Sequence, residues 1–222
     1  MRIFVLLPLL VVLSGCSKEP ILKYEIKGNT VTITDCDESA SGKLVIPAKI
    51  EGNPVTSIGD GAFSWCWRLT TIEVGEGNVN FTEVNGVLFN AEKTVLLTYP
   101  AGKKGANYTI PDGVTSIGIS AFTNSQFLRS ITIPDSVTSI GVRAFNRSGL
   151  TSITIPDSVT SIGSVAFNTC RKLTTVTFLG DAPKAGDYIF NGATPTIYRK
   201  PEAKGWGDTW GGRPVKLISE KP

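Results

Sequence analysis

At 222 residues, 41% hydrophobic and 18% charged, the chain has the apolar content of a folded protein, and a net charge of +3 does not mark a nucleic-acid binder. It contains no histidine, which excludes Ser-His-Asp and Cys-His catalysis together with every His-ligated metal site. Glycine (23) and proline (13) are frequent, as suits a chain that turns every few residues.

Met1-Arg2 followed by Ile3 to Leu13 is a cationic start and an apolar run. A spanning helix needs about 20 apolar residues, so this run reads as a secretory signal. It ends in Leu13-Ser14-Gly15-Cys16, which resembles the lipobox of bacterial lipoproteins. The resemblance implies cleavage before Cys16, lipid attachment to that cysteine and stable membrane anchoring through several acyl chains. The alternative is a plain secretory signal with a chance cysteine. Ser17 stands where an aspartate would retain many such lipoproteins at the inner membrane, so the resemblance implies the outer membrane of a Gram-negative cell. Lys18-Glu19 is faintly similar to the acidic tag that sends some lipoproteins to the outer face.

Residues 1–15 are thus expected to be a leader, 16–20 a lipidated tether and 21–222 one repeat domain. In that domain, Tyr24–Lys27 and Val31–Thr34 alternate in polarity around Gly28-Asn29-Thr30, which predicts a β-hairpin within an N-terminal cap spanning 21–43. Asp35-Cys36-Asp37-Glu38 lacks the glycine and the distal glutamate of a calcium loop and reads as a solvated turn.

The core of the sequence is a repeat, expected over 44–181. Ile110-Pro111-Asp112-Gly113-Val114-Thr115-Ser116-Ile117-Gly118 returns at Ile133–Gly141 and Ile155–Gly163, with the prolines Pro111, Pro134 and Pro156 separated by 23 and 22 residues. A period of about 20–29 residues is that of leucine-rich repeats. Apolar columns follow: Val55, Val114, Val137, Val159; Ile58, Ile117, Ile140, Ile162; Leu69, Leu128, Leu150, Leu173. Phe63, Phe122, Phe145 and Phe167, each after alanine, are expected to stack as a spine. Gly59, Gly118, Gly141 and Gly163 are expected to occupy backbone geometry that other residues resist. Each coil reads as strand, proline-aspartate turn, short extended piece, then a helical or 3₁₀ turn around Ala-Phe.

These units, Ile-Pro-x-x-Val-Thr-Ser-Ile-Gly-x-x-Ala-Phe closed by Cys-x-x-Leu in two copies, resemble the BspA-type leucine-rich repeats of bacterial surface proteins. The resemblance implies a mainly-β solenoid with capped ends and a role in adhesion. Phe81–Pro100, within an irregular unit at 78–108, is similar to the hairpin-bearing insert of such proteins. Ala182–Tyr198 resembles a degenerate last coil, and Gly205–Ile218 a C-terminal cap. Ser125 and Ser148 depart from the Cys-x-x-Leu pattern.

Cys66 and Cys170 fall in one interior column and are expected to be buried thiols. Coils so far apart cannot bring them within the roughly 7 Å between Cα atoms that a disulfide needs. A bridge from Cys36 to Cys66 is conceivable and stays open. No cofactor or metal is implied.

Strand alternation turns Ser130, Thr132, Ser152, Thr154, Thr175 and Thr177 outward, with Thr71 and Glu73 on the first coil's strand. This hydroxyl-paved face is a candidate binding surface, although threonine also simply suits an exposed strand. Trp65 and Trp67 break the repeat, since the other units carry Asn124, Arg147 or Thr169 and Gln126 or Arg171 at these places. They could stack on a sugar or anchor a protein partner; the favoured reading is that they cover the N-terminal cap. Trp206 and Trp210 read as core of the closing cap. The leading functional expectation is a non-enzymatic adhesion module on the cell envelope, with a host or bacterial surface protein or glycan as partner and no nucleic acid. The alternatives are a glycosidase using a carboxylate pair, which needs no histidine, and a structural envelope protein.

Overall fold

The computed structural model describes residues 22–221. The leader, Cys16 and the tether lie outside them. Strands β1 (Leu22–Lys27) and β2 (Thr30–Cys36) form the predicted hairpin, and β2 pairs in parallel with β5 (Asn53–Ile58), after β3 (Ser41–Ile46) and β4 (Lys49–Ile50). β3 pairs in parallel with β6 (Arg68–Val74). The solenoid thus begins with the hairpin laid against its first coil, so the end of the core is not left open.

The insert supplies β7 (Phe81–Val84), β8 (Val87–Asn90) and β9 (Val95–Thr98), paired antiparallel in succession. Val87, Leu88 and Phe89 of β8 are apolar in succession because both faces of the strand are covered there. Leu88 joins an N-terminal core with Val31, Ile33, Leu44, Phe63 and Ile72, whereas Val87 and Phe89 join the larger core that runs on to Trp210. β9 then starts a parallel stack with β11 (Ser116–Ile117), β13 (Ser139–Ile140), β15 (Ser161–Ile162) and β17 (Lys184–Ala185). Across the core, β10 (Asn107–Thr109) pairs in parallel with β12 (Ser130–Thr132). Farther along that side, β14 (Ser152–Ile155), β16 (Thr175–Phe178), β18 (Thr196–Arg199) and β20 (Arg213–Leu217) continue in parallel, and β19 (Thr209–Trp210) closes the edge antiparallel to β20. Residues with the same place in the repeat pair with each other, Ile117 with Ile140 and Ile140 with Ile162, so the columns read from sequence are the register.

Three expectations change. The spine is Tyr99, Phe122, Phe145, Phe167 and Phe190, with ring centroids 5.1–5.5 Å apart along Phe122–Phe190 and Tyr99 stacked on Phe122 at 5.2 Å. Phe63 is not on it: the insert separates the two cores, and Tyr99 from the end of β9's coil takes the first place instead.

The column of Gly59, Gly118, Gly141 and Gly163 does not adopt positive φ. Its reason is proximity, because the backbones of successive coils touch there. A Cβ on Gly118 would stand 2.8 Å from the Leu96 carbonyl oxygen, one on Gly141 2.8 Å from the Gly118 carbonyl carbon, and one on Gly163 2.8 Å from the Gly141 carbonyl carbon.

The Ala-Phe segments are turns rather than helix, and among the described residues the helical element is the 3₁₀ turn Ile218–Glu220. Alternate amides leave the coil. Ala121, Thr123 and Ser125 donate to Gly118, Ser120 and Phe122 within it, while Ser120, Phe122 and Asn124 donate to Val142, Ala144 and Asn146 of the next. A helix would use all of these donors internally. The alternation is made possible by left-handed residues in two columns, Ser120, Arg143, Val165 and Tyr188 in one and Asn124, Arg147 and Thr169 in the other.

The interior column of Cys66, Ser125, Ser148 and Cys170 is buried throughout, and Cys36, Cys66 and Cys170 are free thiols. At the far end Trp210 is core as expected. It packs edge-on to Phe178 at 5.0 Å and Phe190 at 6.0 Å, and its Nε1 donates to the Pro183 carbonyl.

Candidate functional site

Trp65 and Trp67 flank Cys66, whose side chain points into the core, so the alternation turns both indoles outward. They are 45% and 56% exposed. They lie beside the cap turn at Glu38 and Ser39 but remain exposed, while Leu22, Tyr24 and Ile26 of the hairpin pack against the cap's core. Trp65 occupies the column of Asn124 (φ 62°), Arg147 (φ 56°) and Thr169 (φ 57°), yet its own φ is not positive. The first coil's turn therefore departs from the others here, and the neighbouring coil reaches it through a side chain, Asn124 Nδ2 donating to the Ser64 carbonyl at 2.6 Å.

The two indoles form a bent platform, with centroids 6.1 Å apart and planes inclined at 47°. The Arg147 guanidinium lies 5.5 Å from the Trp65 ring, within cation–π range. Glu38, Ser39 and Arg68 join the two tryptophans around a shallow cleft. The surface thus offers two aromatic faces, a carboxylate, a hydroxyl and two guanidinium groups. This is the mixture by which proteins hold amphipathic ligands: rings for apolar faces, charged groups for hydroxyls, carboxylates or amides. The repeat columns already placed Arg147 in Trp65's position. They could not show that its long side chain reaches back over the intervening coil, or that Glu38 and Ser39 of the cap turn arrive beside it.

The hydroxyl face is assembled in part. Thr109 pairs with Thr132 and Thr154 with Thr177, and Thr132 and Thr154 are exposed. Thr177 is not, at 7%. Tyr198 lies beside it on β18, and Lys221 Nζ, from the residue after the 3₁₀ turn, reaches its hydroxyl at 3.4 Å. Thr71 is half-buried by the insert, whose Gly86 lies close enough that a Cβ would be 2.9 Å from Thr71 Cγ2. Glu73 is paired with Lys43 at 3.1 Å, both partly exposed, a contact worth little to stability. The cleft at the tryptophans is lined by none of Thr71, Glu73, Thr132 and Thr154. On the other sides of the coil, Thr115, Thr138, Thr160 and Thr174 turn their hydroxyls onto carbonyls of the preceding coil, at 3.1–3.3 Å, so these rows serve the ladder.

A second cleft lies where the two cores meet, lined by Ile58, Asp60, Phe63, Tyr99 and Ser120 among others, and Asp60 is its one carboxylate. The carboxylate pair that a glycosidase would need is present in neither cleft. Among the described residues, no group of three His, Cys, Asp or Glu side chains could hold a metal ion.

The repeat register agrees with the sequence family that the chain matches. The model of the BspA type leucine-rich repeat region covers residues 43–104 and 101–199, in six copies. The chain belongs to the BspA-type leucine-rich repeat family. A leucine-rich repeat protein from Eubacterium ventriosum is 34% identical with a TM-score of 0.63, over 72% of this chain and 42% of that one. The pneumococcal vaccine antigen PcpA shares the fold at 22% identity and a TM-score of 0.55, over 82% of this chain and 51% of that one. This BspA-type chain thus spans about half the length, or less, of these solved relatives. No curated protein matches it.

Proposed function

We propose that this protein is a non-enzymatic adhesion module of the bacterial cell envelope. It is held at the outer membrane by lipid on Cys16, and it engages a protein or glycan of a host or bacterial surface through Trp65 and Trp67. The observation that carries this reading is the pair of neighbouring indoles left exposed on an otherwise polar coil edge. Two exposed tryptophans have a solvation cost that the fold does not relieve, and a partner's apolar surface or a sugar ring would relieve it. Membership in a repeat family of leucine-rich type supports a binding role, since a solenoid offers extended surface rather than a deep pocket.

The test uses the chain carrying Cys16→Ser, which cannot be acylated, on panels of glycans and matrix proteins. A ligand is expected whose affinity falls about tenfold or more in the Trp65→Ala/Trp67→Ala double variant. An unaltered melting temperature would show that the loss is one of contact. Binding indifferent to both substitutions would remove the tryptophans from the function. Metabolic labelling with a clickable fatty acid tests the anchor separately: label is expected on the wild-type chain and none on Cys16→Ser.

A further inference from the structure

The N-terminal core holds two thiols, one of which the repeat does not explain. Cys66 belongs to the interior column shared with Ser125, Ser148 and Cys170, but Cys36 comes from the end of β2, outside the repeats. Both are buried, at 0% and 1% exposure, and both sulfurs converge on one acceptor, the Asp37 carbonyl oxygen, at 3.7 Å from Cys36 Sγ and 3.5 Å from Cys66 Sγ. Cys170 shows how a solitary thiol is accommodated in the same column. Its Sγ donates to the Phe145 carbonyl at 2.9 Å and meets Ser148 Oγ at 3.4 Å, with no second sulfur opposite. A second cysteine thus faces the column at the one coil where the hairpin closes the core.

We propose that Cys36 and Cys66 are a disulfide-forming pair that, once oxidised, ties the N-terminal hairpin to the first coil. The end of a solenoid has a neighbour on one side, so its terminal element is the first to open. A bond at that position constrains the unfolded chain where the folded array is weakest. In the reaction two S–H bonds are lost and one S–S bond forms. The two electrons and two protons pass to a disulfide-bearing oxidant, which is released as two thiols. Contact with the Cys66 thiol, and then burial, raise the pKa of the Cys36 thiol, so the folded protein withholds the reactive thiolate. Bridging therefore belongs to folding, before the hairpin seats.

The full chain is unfolded in guanidinium chloride and diluted into a buffer of reduced and oxidised glutathione. It is then alkylated under denaturing conditions, digested and mapped by mass spectrometry. The expected result is a linked Cys36–Cys66 peptide with Cys170 alkylated, together with a melting temperature about 5 °C higher than that of the same sample after reduction. Alkylated Cys36 and Cys66 in the oxidised sample, glutathione carried on either, or linkage of Cys36 to another cysteine would overturn the proposal. The Cys36→Ala and Cys66→Ala variants provide the second measurement: each is expected to abolish the reductant-dependent shift, and a shift that survives in either would equally reject the pairing.

Discussion

The rings of Phe145 and Phe167 lie parallel within 4°, their centroids 5.2 Å apart, although the residues are 22 positions distant in sequence. The spacing follows from the ladder, since parallel strands lie about 4.8 Å apart and carry each ring onto the next. Phe145 is flanked on both sides by such a ring, and its removal leaves a cavity that neither neighbour can fill. Phe145→Ala is expected to cost about 3–5 kcal/mol in denaturant unfolding. A double-mutant cycle on Phe145 and Phe167 should show coupling of about 0.5–1.5 kcal/mol. The same cycle on Phe63 and Phe145 should be additive within about 0.5 kcal/mol, because those residues belong to different cores.

A methyl group at position 141 has nowhere to go. Its Cβ would meet the Gly118 carbonyl carbon at 2.8 Å and the Ile117 carbonyl oxygen at 2.9 Å, both of them backbone atoms. Gly141→Ala should therefore destabilise by about 2–3 kcal/mol, by forcing two coils apart. Gly113→Ala provides the contrast, having positive φ and no atom within 4 Å, so its cost is conformational strain of about 1 kcal/mol. Equal losses in the two variants would refute the close-approach account.

Among the described residues, two buried hydroxyls lack hydrogen-bond partners, Tyr108 OH and Ser125 Oγ. Such groups lose solvation and gain nothing in return. Tyr108→Phe and Ser125→Ala are each expected to raise the unfolding free energy by about 1 kcal/mol. Ser148→Ala, in the same column as Ser125 but in contact with Cys170 Sγ at 3.4 Å, should not stabilise. Chemical denaturation of the three variants side by side checks this.

Alkaline pH should unfold the protein through its buried phenols and thiols. Burial raises Tyr99 and Tyr108 above 10.0, with Tyr99 adding to the effect on Tyr108, and burial raises Cys170 above 9.0. Groups with raised folded values hold their protons more tightly in the native state. Their contribution is complete below the unfolded values and is lost as pH climbs through the folded ones. Stability measured across pH 9–12 should fall, beginning near 9.0 for the thiol and 10.0 for the phenols. Tyr99→Phe/Tyr108→Phe should flatten the upper part of that decline, and an undiminished slope would count against the assignment.

The repeat was legible because its cause is local and periodic. Ile-x-Ile before proline makes a strand and stops it, Pro-Asp makes the turn, and identical spacing brings identical residues into register. The buried Cys66 and Cys170 column followed from the same arithmetic, the hairpin at β1–β2 from alternating polarity around a turn, and the irregular insert from the resemblance to the family. Where the array is interrupted, that arithmetic lost its hold. Phe63 sits in the repeat's phenylalanine place, but nothing in its neighbourhood reveals that the insert will seat Tyr99 in its stead. Thr177 alternates outward like Thr154, but the chain's end returns to cover it.

The sequence by itself determined the solenoid, its columns and the two aromatic residues that break the pattern, because each rests on spacing along the chain. The tertiary structure decided what those residues meet. It left Trp65 and Trp67 exposed beside Arg147, Glu38 and Arg68, divided the core at β8, and brought Cys36 to Cys66. The physical reason is that a column fixes which coils are neighbours. How far a side chain reaches across them, and which insertion or terminus covers a face, depends on packing between segments that share no period.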